Sequence, residues 1–110
     1  MTALKNGEIF NKRPLDGIRV VDLSRVFAMP FAGANLADFG AQVIKIESRT
    51  KMDGLRMGRP IIGDDVAGGD KGLWPELQPV FHGLNRNKWS ITVNLKEAIS
   101  INLIKELVER

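Results

Sequence analysis

The feature that most constrains the fold is a strand–helix–strand pattern in the first half of the chain. Residues 18–23 (IRVVDL) are nearly continuous in apolar, mostly β-branched side chains, which is typical of a strand covered on both faces. Residues 30–39 predict a short apolar helix that begins with a proline and ends at Gly40. Residues 43–47 predict a second strand. Because a helical crossover of this size joins parallel strands, we expect an α/β fold with a parallel sheet.

The regular pattern resumes late in the chain. Residues 89–94 alternate apolar and polar side chains, which predicts a third strand with one apolar face. Residues 97–110 predict a helix with an apolar stripe. The stripe consists of Ile99, Leu103, Ile104, Leu107 and Val108. No later helix faces this stripe, so we expect the chain to be a fragment of a larger fold that is marginally stable on its own.

Two segments lack such regularity. Residues 1–13 form a polar lead-in, and turn-forming residues follow at positions 14–17. Residues 57–80 contain five Gly and three Pro, which predicts a long Gly/Pro-rich loop. The sequence therefore predicts one domain, residues 14–110, with this loop inside it.

Composition excludes several classes of protein. The 110 residues include 16 basic and 13 acidic side chains, and the resulting net charge of +3 is too mild to require nucleic acid. No cysteine and a single histidine exclude thiolate and multi-histidine metal sites. The lead-in has no apolar run of the signal-peptide type, and no uncharged stretch approaches the ~20 residues that span a bilayer. We expect a cytoplasmic protein without metal, nucleic acid or membrane partners.

Positive charge is concentrated beside two predicted strand ends. Residues 45–59 and residues 85–96 each carry a net charge of +3, which suits a phosphorylated nucleotide at the edge of a sheet. The alternative is that both segments are solvated basic loops. Glu47 ends the second strand, where an acid binds ribose in nicotinamide and flavin domains, but the G-x-G-x-x-G motif of those domains is absent. A further alternative is a non-enzymatic module that binds a partner through the apolar stripe of the last helix.

Five motifs occur in a fixed order along the chain. They are PLDGIRVVDLS (14–24), PFAG (30–33), LADFGAQVIKIE (36–47), Asp53 with Arg56, and NRNKWSI (85–91). Together they resemble the N-terminal part of the class III CoA-transferases, the CaiB/BaiF family. The resemblance implies a Rossmann-like parallel sheet, in which residues 14–110 form part of the large, CoA-binding domain and the small domain is absent.

The resemblance also implies an activity. Members of the family move coenzyme A (CoA) from an acyl-CoA to a carboxylic acid and form interlocked homodimers. An aspartate attacks the thioester and carries CoA as an aspartyl-CoA thioester, which is covalent catalysis. No aspartate of this sequence lies at the matching position. We therefore expect no catalytic residue in the chain and no transferase activity from it alone.

By the same resemblance, CoA contacts fall at the ends of the predicted strands. The predicted CoA-binding residues are Val26, Phe27, Ala28, Ser48, Arg49, Val93 and Lys96. The first three correspond to a loop that faces the thioester end of CoA. Arg49 would substitute for a basic residue that some members carry at the position of Ser48. The last two belong to a stretch that flanks the nucleotide, where Lys96 could pair with a phosphate.

Overall fold

The computed structural model describes residues 12–60, 68 and 70–110. Within these residues three strands form a parallel sheet in the order β1 (Arg19–Asp22), β2 (Gln42–Glu47) and β3 (Trp89–Thr92). In the register of the first pair, Val20 lies opposite Val43. The predicted α/β class and the parallel sheet are confirmed. The third strand is two residues shorter than the predicted 89–94.

Helix α1 (Ala28–Asp38) connects β1 to β2 and packs against both strands. It begins two residues before the predicted start, because a proline is tolerated throughout the first helical turn. Its buried face carries small side chains, among them Ala34 and Ala37. After its end the Gly40 N–H donates to the Ala37 carbonyl at 3.0 Å, with φ at +108°, a conformation that glycine adopts without strain. Gly40 therefore ends the helix, as predicted.

The last helix, α3 (Ala98–Glu109), packs against β1 and confirms the helix predicted at 97–110. None of its residues is buried, and Ile99 and Val108 are 79% and 68% exposed. The predicted apolar stripe is thus largely open to solvent in this chain. Within the described ranges, no helix has the length and apolar character needed to cross a membrane.

The segment 57–80, which we expected to be one long loop, is partly helical. A 3₁₀ helix spans Lys71–Glu76, and helix α2 (Pro79–Leu84) begins before the segment ends. The loop prediction was therefore wrong for these residues. The high Gly and Pro content indicated a loop, although the segment also contains two residues that favour the start of a helix. Asp70 caps the 3₁₀ helix by accepting the Gly72 N–H, and a proline occupies the first position of α2. Residues 61–67 and 69 lie outside the described residues, as do residues 1–11 of the predicted lead-in.

The apolar core is small. Ala37, Ala41 and Val43 form its centre, and Leu15 and Val20 pack against them. Several polar side chains are buried as well, namely Asp22, Lys45, Asp53 and Gln78. A buried charge is costly unless it is paired, so the partners of these charged groups decide how the strand ends are arranged.

Gly40→Ala should destabilise the chain more than Gly17→Ala. Both glycines have positive φ, so alanine is strained at each position by about 1–2 kcal/mol. At position 40 the added Cβ would also lie 2.6 Å from the Arg13 Cβ and 2.7 Å from Asp16 Oδ1, whereas nothing lies within 4 Å at position 17. Urea unfolding followed by circular dichroism should show an extra loss of about 1–3 kcal/mol for Gly40→Ala. Equal losses would contradict the packing of the 13–16 turn against the end of α1.

Candidate functional site

A cavity of about 300 Å³ opens at the carboxyl edge of the sheet. Its walls come from the end of β2 and from the segments that follow all three strands, which is where ligands bind in open α/β sheets. The cavity is therefore the candidate ligand site. Its lining residues are Leu23, Ser24, Arg25, Lys45, Ile46, Glu47, Ser48, Thr50, Lys51, Asp53, Asn94, Leu95 and Lys96.

Lys45 is a buried cation in the cavity lining. Its side chain is only 2% exposed, its Nζ donates to the Ser24 carbonyl at 2.8 Å, and the same atom lies 3.8 Å from Asp53 Oδ2. Burial lowers the pKa of Lys45, while the carboxylates of Asp22, Asp53 and Glu47 oppose that shift. The ammonium group therefore joins β2 to the loop after β1 and to the loop that contains Asp53.

Asp22, the last residue of β1, forms a second buried pair with Lys88. The Lys88 Nζ donates to Asp22 Oδ2 and to the Pro30 carbonyl, both at 2.8 Å, and to Asn85 Oδ1 at 2.9 Å. Burial raises the pKa of Asp22, but hydrogen bonds from Lys88 and Ser24 outweigh that effect and hold the pKa below its usual value. The pair therefore links β1, the start of α1 and the turn before β3.

Glu47, at the end of β2, is held by Arg56 from a 3₁₀ helix at Gly54–Arg56. Arg56 donates to the two carboxylate oxygens at 2.7 and 2.9 Å, and the Ser90 hydroxyl donates to one of them at 2.6 Å. Burial raises the pKa of Glu47, but these hydrogen bonds outweigh it, so the pKa is lowered. The guanidinium group also stacks on the Phe81 ring, 3.7 Å from its centroid. Both oxygens of Glu47 thus have protein partners, which disfavours the ribose-binding role of a nicotinamide or flavin domain.

Between β1 and α1 the chain passes through a strained residue. Val26 has a φ of +69°, in the left-handed region that β-branched residues rarely adopt. Its N–H donates to both carboxylate oxygens of Asp53, at 3.1 and 3.3 Å. The neighbouring Arg25 side chain donates to the Met52 carbonyl. Residues 24–26 are thereby fastened to residues 52 and 53.

The structure brings only some of the sequence-predicted binding residues into the cavity lining. Ser48 and Lys96 line the cavity. Residues 26–28 lie at the entry to α1, directly after lining residues but outside the lining itself. Arg49 is exposed and also lies outside the lining. Val93 is half-buried, and its backbone N–H donates to the Glu47 carbonyl at 3.0 Å.

Sequence reasoning missed two cationic lining residues, Arg25 and Lys51. Lys51 belongs to the same basic segment that suggested Arg49, so the signal was present in residues 45–59. The sequence pattern did not show which side chain of this loop faces the cavity. Arg25 lies three residues after the end of β1, as a lone positive charge in an otherwise uncharged loop, so no charge pattern indicates it.

The turn at residues 85–88, which precedes β3, is hydrogen-bonded to helix α1. Arg86 and Asn87 both donate to the Asp38 carboxylate of α1, each at 2.7 Å, and Asn87 has a φ of +60°. Asparagine tolerates this left-handed backbone and favours turns.

His82 lies in α2, where its Nε2 is 2.7 Å from the Glu76 carbonyl oxygen. Among the described residues, no cluster of three His, Cys, Asp or Glu side chains has the arrangement of a metal site.

Residues 15–110 match the family model described as CoA-transferase family III. The chain belongs to this family. It is 41% identical over 95 residues to the succinyl-CoA:glutarate CoA-transferase of Mus musculus, and the match covers 86% of this chain and 19% of that protein. It is 42% identical over 96 residues to the succinyl-CoA–D-citramalate CoA-transferase of Chloroflexus aurantiacus, with coverage of 87% and 21%.

A solved structure agrees with this assignment. The CaiB/BaiF family protein from Brucella suis superimposes with a TM-score of 0.67 at 34% identity, over 89% of this chain and 24% of that one. The resemblance carried by the five motifs is thus confirmed at the level of the family and of the fold. The chain spans about one fifth of the length of the curated relatives that it matches.

Stability should fall as the pH drops below about 4.5. The folded-state pKa values of Asp22 and Glu47 lie below the ordinary 3.8 and 4.5. The stabilisation that these two carboxylates contribute is therefore complete above the ordinary pKa values and is lost as the pH falls through the lower, folded-state values.

At neutral pH, Asp22→Asn should lower the free energy of unfolding by about 3 kcal/mol, because it leaves the buried Lys88 without a compensating charge. Urea midpoints from neutral pH to about pH 3 measure both effects.

Glu106→Gln is the control for this prediction. Glu106 pairs with Arg110 at 3.9 Å on the exposed surface of α3, where ion pairs contribute little to stability. This variant should keep a urea midpoint close to that of the unmodified chain. An Asp22→Asn loss no larger than that of Glu106→Gln would contradict the importance of the buried pair.

Proposed function

We propose that this chain supplies a CoA-binding part of an enzyme that transfers CoA from an acyl-CoA to a carboxylic acid. The observation that carries the proposal is the cavity at the carboxyl edge of the sheet, in a chain that belongs to a CoA-transferase family. We propose residues 14–110 as part of a Rossmann-like domain, and the whole protein as a cytoplasmic, interlocked homodimer. The exposed apolar side chains of α1, among them Met29 and Phe31, support a place for that helix in an interface.

The charge around the cavity favours a phosphorylated ligand. The two lining acids, Glu47 and Asp53, are committed to protein donors. Lys51 and Lys96 are exposed at the lining, and neither forms an ion pair among the described residues. Uncompensated cations at a concave site attract anionic ligands. CoA carries three phosphate groups, so its nucleotide end matches this side of the cavity.

The cavity accommodates one end of CoA. A volume of about 300 Å³ is at the lower limit for small-molecule pockets, and CoA is a long molecule. Leu23, Ile46 and Leu95 supply apolar surface for the adenine ring. We place the nucleotide end in the cavity and the thioester end toward residues 26–28, which follow the lining residue Arg25 at the entry to α1. The lining positions of Ser48 and Lys96 support this orientation.

In the proposed reaction an aspartate carboxylate attacks the thioester carbonyl, which gives a mixed anhydride and releases the CoA thiolate. The thiolate then attacks the aspartyl carbonyl, which gives the aspartyl-CoA thioester and releases the donor carboxylate. The acceptor carboxylate repeats the first step on the aspartyl thioester. The thiolate finally attacks the acceptor acyl carbonyl, and the aspartate is regenerated as the new acyl-CoA leaves. Each step exchanges one acyl bond, so no oxidant or reductant is needed.

The contacts of the described aspartates support a nucleophile outside this set. Asp22 and Asp53 are buried in ion pairs, and Asp16 and Asp38 are bonded to arginines. Asp70 caps a 3₁₀ helix. Asp64 and Asp65 lie outside the described residues. We therefore assign CoA binding, and not the covalent step, to this chain.

The names of the relatives suggest the substrate class to test first. They specify succinyl-CoA as the donor and glutarate or D-citramalate as the acceptor. We infer an acyl-CoA donor and a carboxylic acid acceptor, with dicarboxylic acids as the first acceptors to assay.

Replacing Lys51 and Lys96 together with Ala should weaken CoA binding about tenfold, because each exposed pairing with a phosphate contributes at most about 1 kcal/mol. Isothermal titration at two salt concentrations measures the loss, which should shrink as salt rises. Arg49→Ala should have a smaller effect than Lys51→Ala, since Arg49 lies outside the lining.

The matched control replaces Lys12 and Lys105 with Ala. Both lysines are exposed and lie outside the cavity lining, so the net charge changes equally while the site is untouched. If the control pair weakens CoA binding as much as the cavity pair does, the nucleotide site is elsewhere.

The 110-residue chain alone should show no transfer of CoA from succinyl-CoA to glutarate above the uncatalysed rate. Removing a covalent nucleophile lowers the rate by several orders of magnitude, and we assign none to this chain. Liquid chromatography of the CoA esters measures the exchange. Formation of glutaryl-CoA at the rate of a full-length relative would contradict the assignment.

A further inference from the structure

Asp53 lines the cavity, yet its carboxylate is turned into the protein. The side chain is 3% exposed. Oδ1 accepts the Leu55 N–H at 3.0 Å, both oxygens accept the Val26 N–H, and Oδ2 lies 3.8 Å from the Lys45 Nζ. Each oxygen therefore has a protein donor, so Asp53 is poorly placed to bind a ligand directly. Its effect on a ligand must pass through the groups that it holds.

The most demanding of these groups is Val26. A β-branched residue in the left-handed region persists only where its surroundings impose that conformation. Asp53 supplies a partner for the N–H of this residue. Phe27 is the N-cap of α1, and no side-chain hydrogen bond caps the start of this helix. Ser24 is also held by Lys45 and Asp22, but the conformation of the loop at Arg25 and Val26 depends on bonds to residues 52 and 53.

We propose that Asp53 is a positioning residue for the ligand cavity. Its carboxylate holds Val26 in the left-handed conformation and thereby keeps Ser24 and Arg25 in the cavity wall. Both wall residues directly precede Val26 in the chain. A released Val26 would move toward negative φ and redirect the backbone of this wall. The identity of the ligand rests on the proposed CoA-binding function, whereas the link between positions 53 and 26 does not.

A simpler role for Asp53 is to cap the 3₁₀ helix Gly54–Arg56. Asp70 has that same role at Lys71–Glu76, where its Oδ1 accepts the Gly72 N–H at 2.8 Å. Asp70 lies outside the cavity lining. Asp70→Ala is therefore a matched control, since it removes an aspartate cap of the same kind without touching Val26.

The test is a double-mutant cycle on the 110-residue chain, with CoA binding measured by isothermal titration. Asp53→Ala should weaken binding about tenfold, since a hydrogen bond to a charged group is lost. In the Val26→Gly background, Asp53→Ala should weaken CoA binding much less than it does in the unmodified chain. The reason is that glycine adopts positive φ without a hydrogen bond from Asp53. Asp53→Asn keeps one acceptor oxygen and should fall between the unmodified chain and Asp53→Ala. Asp70→Ala should bind like the unmodified chain.

Two results would overturn the positioning role: normal CoA binding by Asp53→Ala, or a double variant as weak as Asp53→Ala. If Asp53→Ala does not fold, Asp53→Asn replaces it in the cycle. If the unmodified chain binds no CoA, the proposed function fails, and the cycle is read from urea midpoints. The positioning role then requires the Asp53 substitution to cost less stability in the Val26→Gly background than in the unmodified chain, and equal costs would exclude it.

Discussion

The buried ion pair between Asp22 and Lys88 joins parts of the chain that are 66 positions apart, and the arrangement of the strand ends depends on it. Lys45 makes a similar connection from β2 to the loops that contain Ser24 and Asp53. The desolvation of such pairs largely offsets their attraction, so they add little net stability. An unpaired member would be far more costly. The pairs therefore select one arrangement of the strand ends, which the small apolar core alone specifies less strongly.

Two buried pairs, Asp53 with Lys45 and Glu47 with Arg56, determine the charge of the cavity. Asp53 and Glu47 line it but are bonded to groups of the protein, so their negative charge is largely compensated there. Lys51 and Lys96 lie at the same lining with no ion-pair partner among the described residues. A site with equal numbers of acids and lysines at its surface would be neutral toward phosphate. Because the acids are committed, this one favours anions.

Local signals made the sheet predictable, and the absence of local signals explains what was missed. The β-branched run of β1, the proline of α1 and Gly40 each act within a few residues. Nothing near Asp22 indicates a partner as distant as Lys88. Of the binding residues that the family resemblance predicts, Ser48 and Lys96 line the cavity, whereas Arg49 does not and its neighbour Lys51 does. The choice between these neighbours depends on the conformation of the turn at residues 48–51, in which the Lys51 N–H donates to Ser48 Oγ at 3.2 Å.

The overlap between core and cavity affects how any variant of this chain must be interpreted. Lys45 and Asp53 are both buried supports of the fold and members of the cavity lining. A substitution at either position changes stability and ligand binding together, so a loss of binding alone would not reveal its cause. Exposed lining residues such as Lys51 separate the two effects, because their side chains support no buried group. For a buried residue, separating the effect on stability from the effect on binding requires a second substitution that relieves a specific strain. For Asp53 that substitution is Val26→Gly, because Val26 has a positive φ.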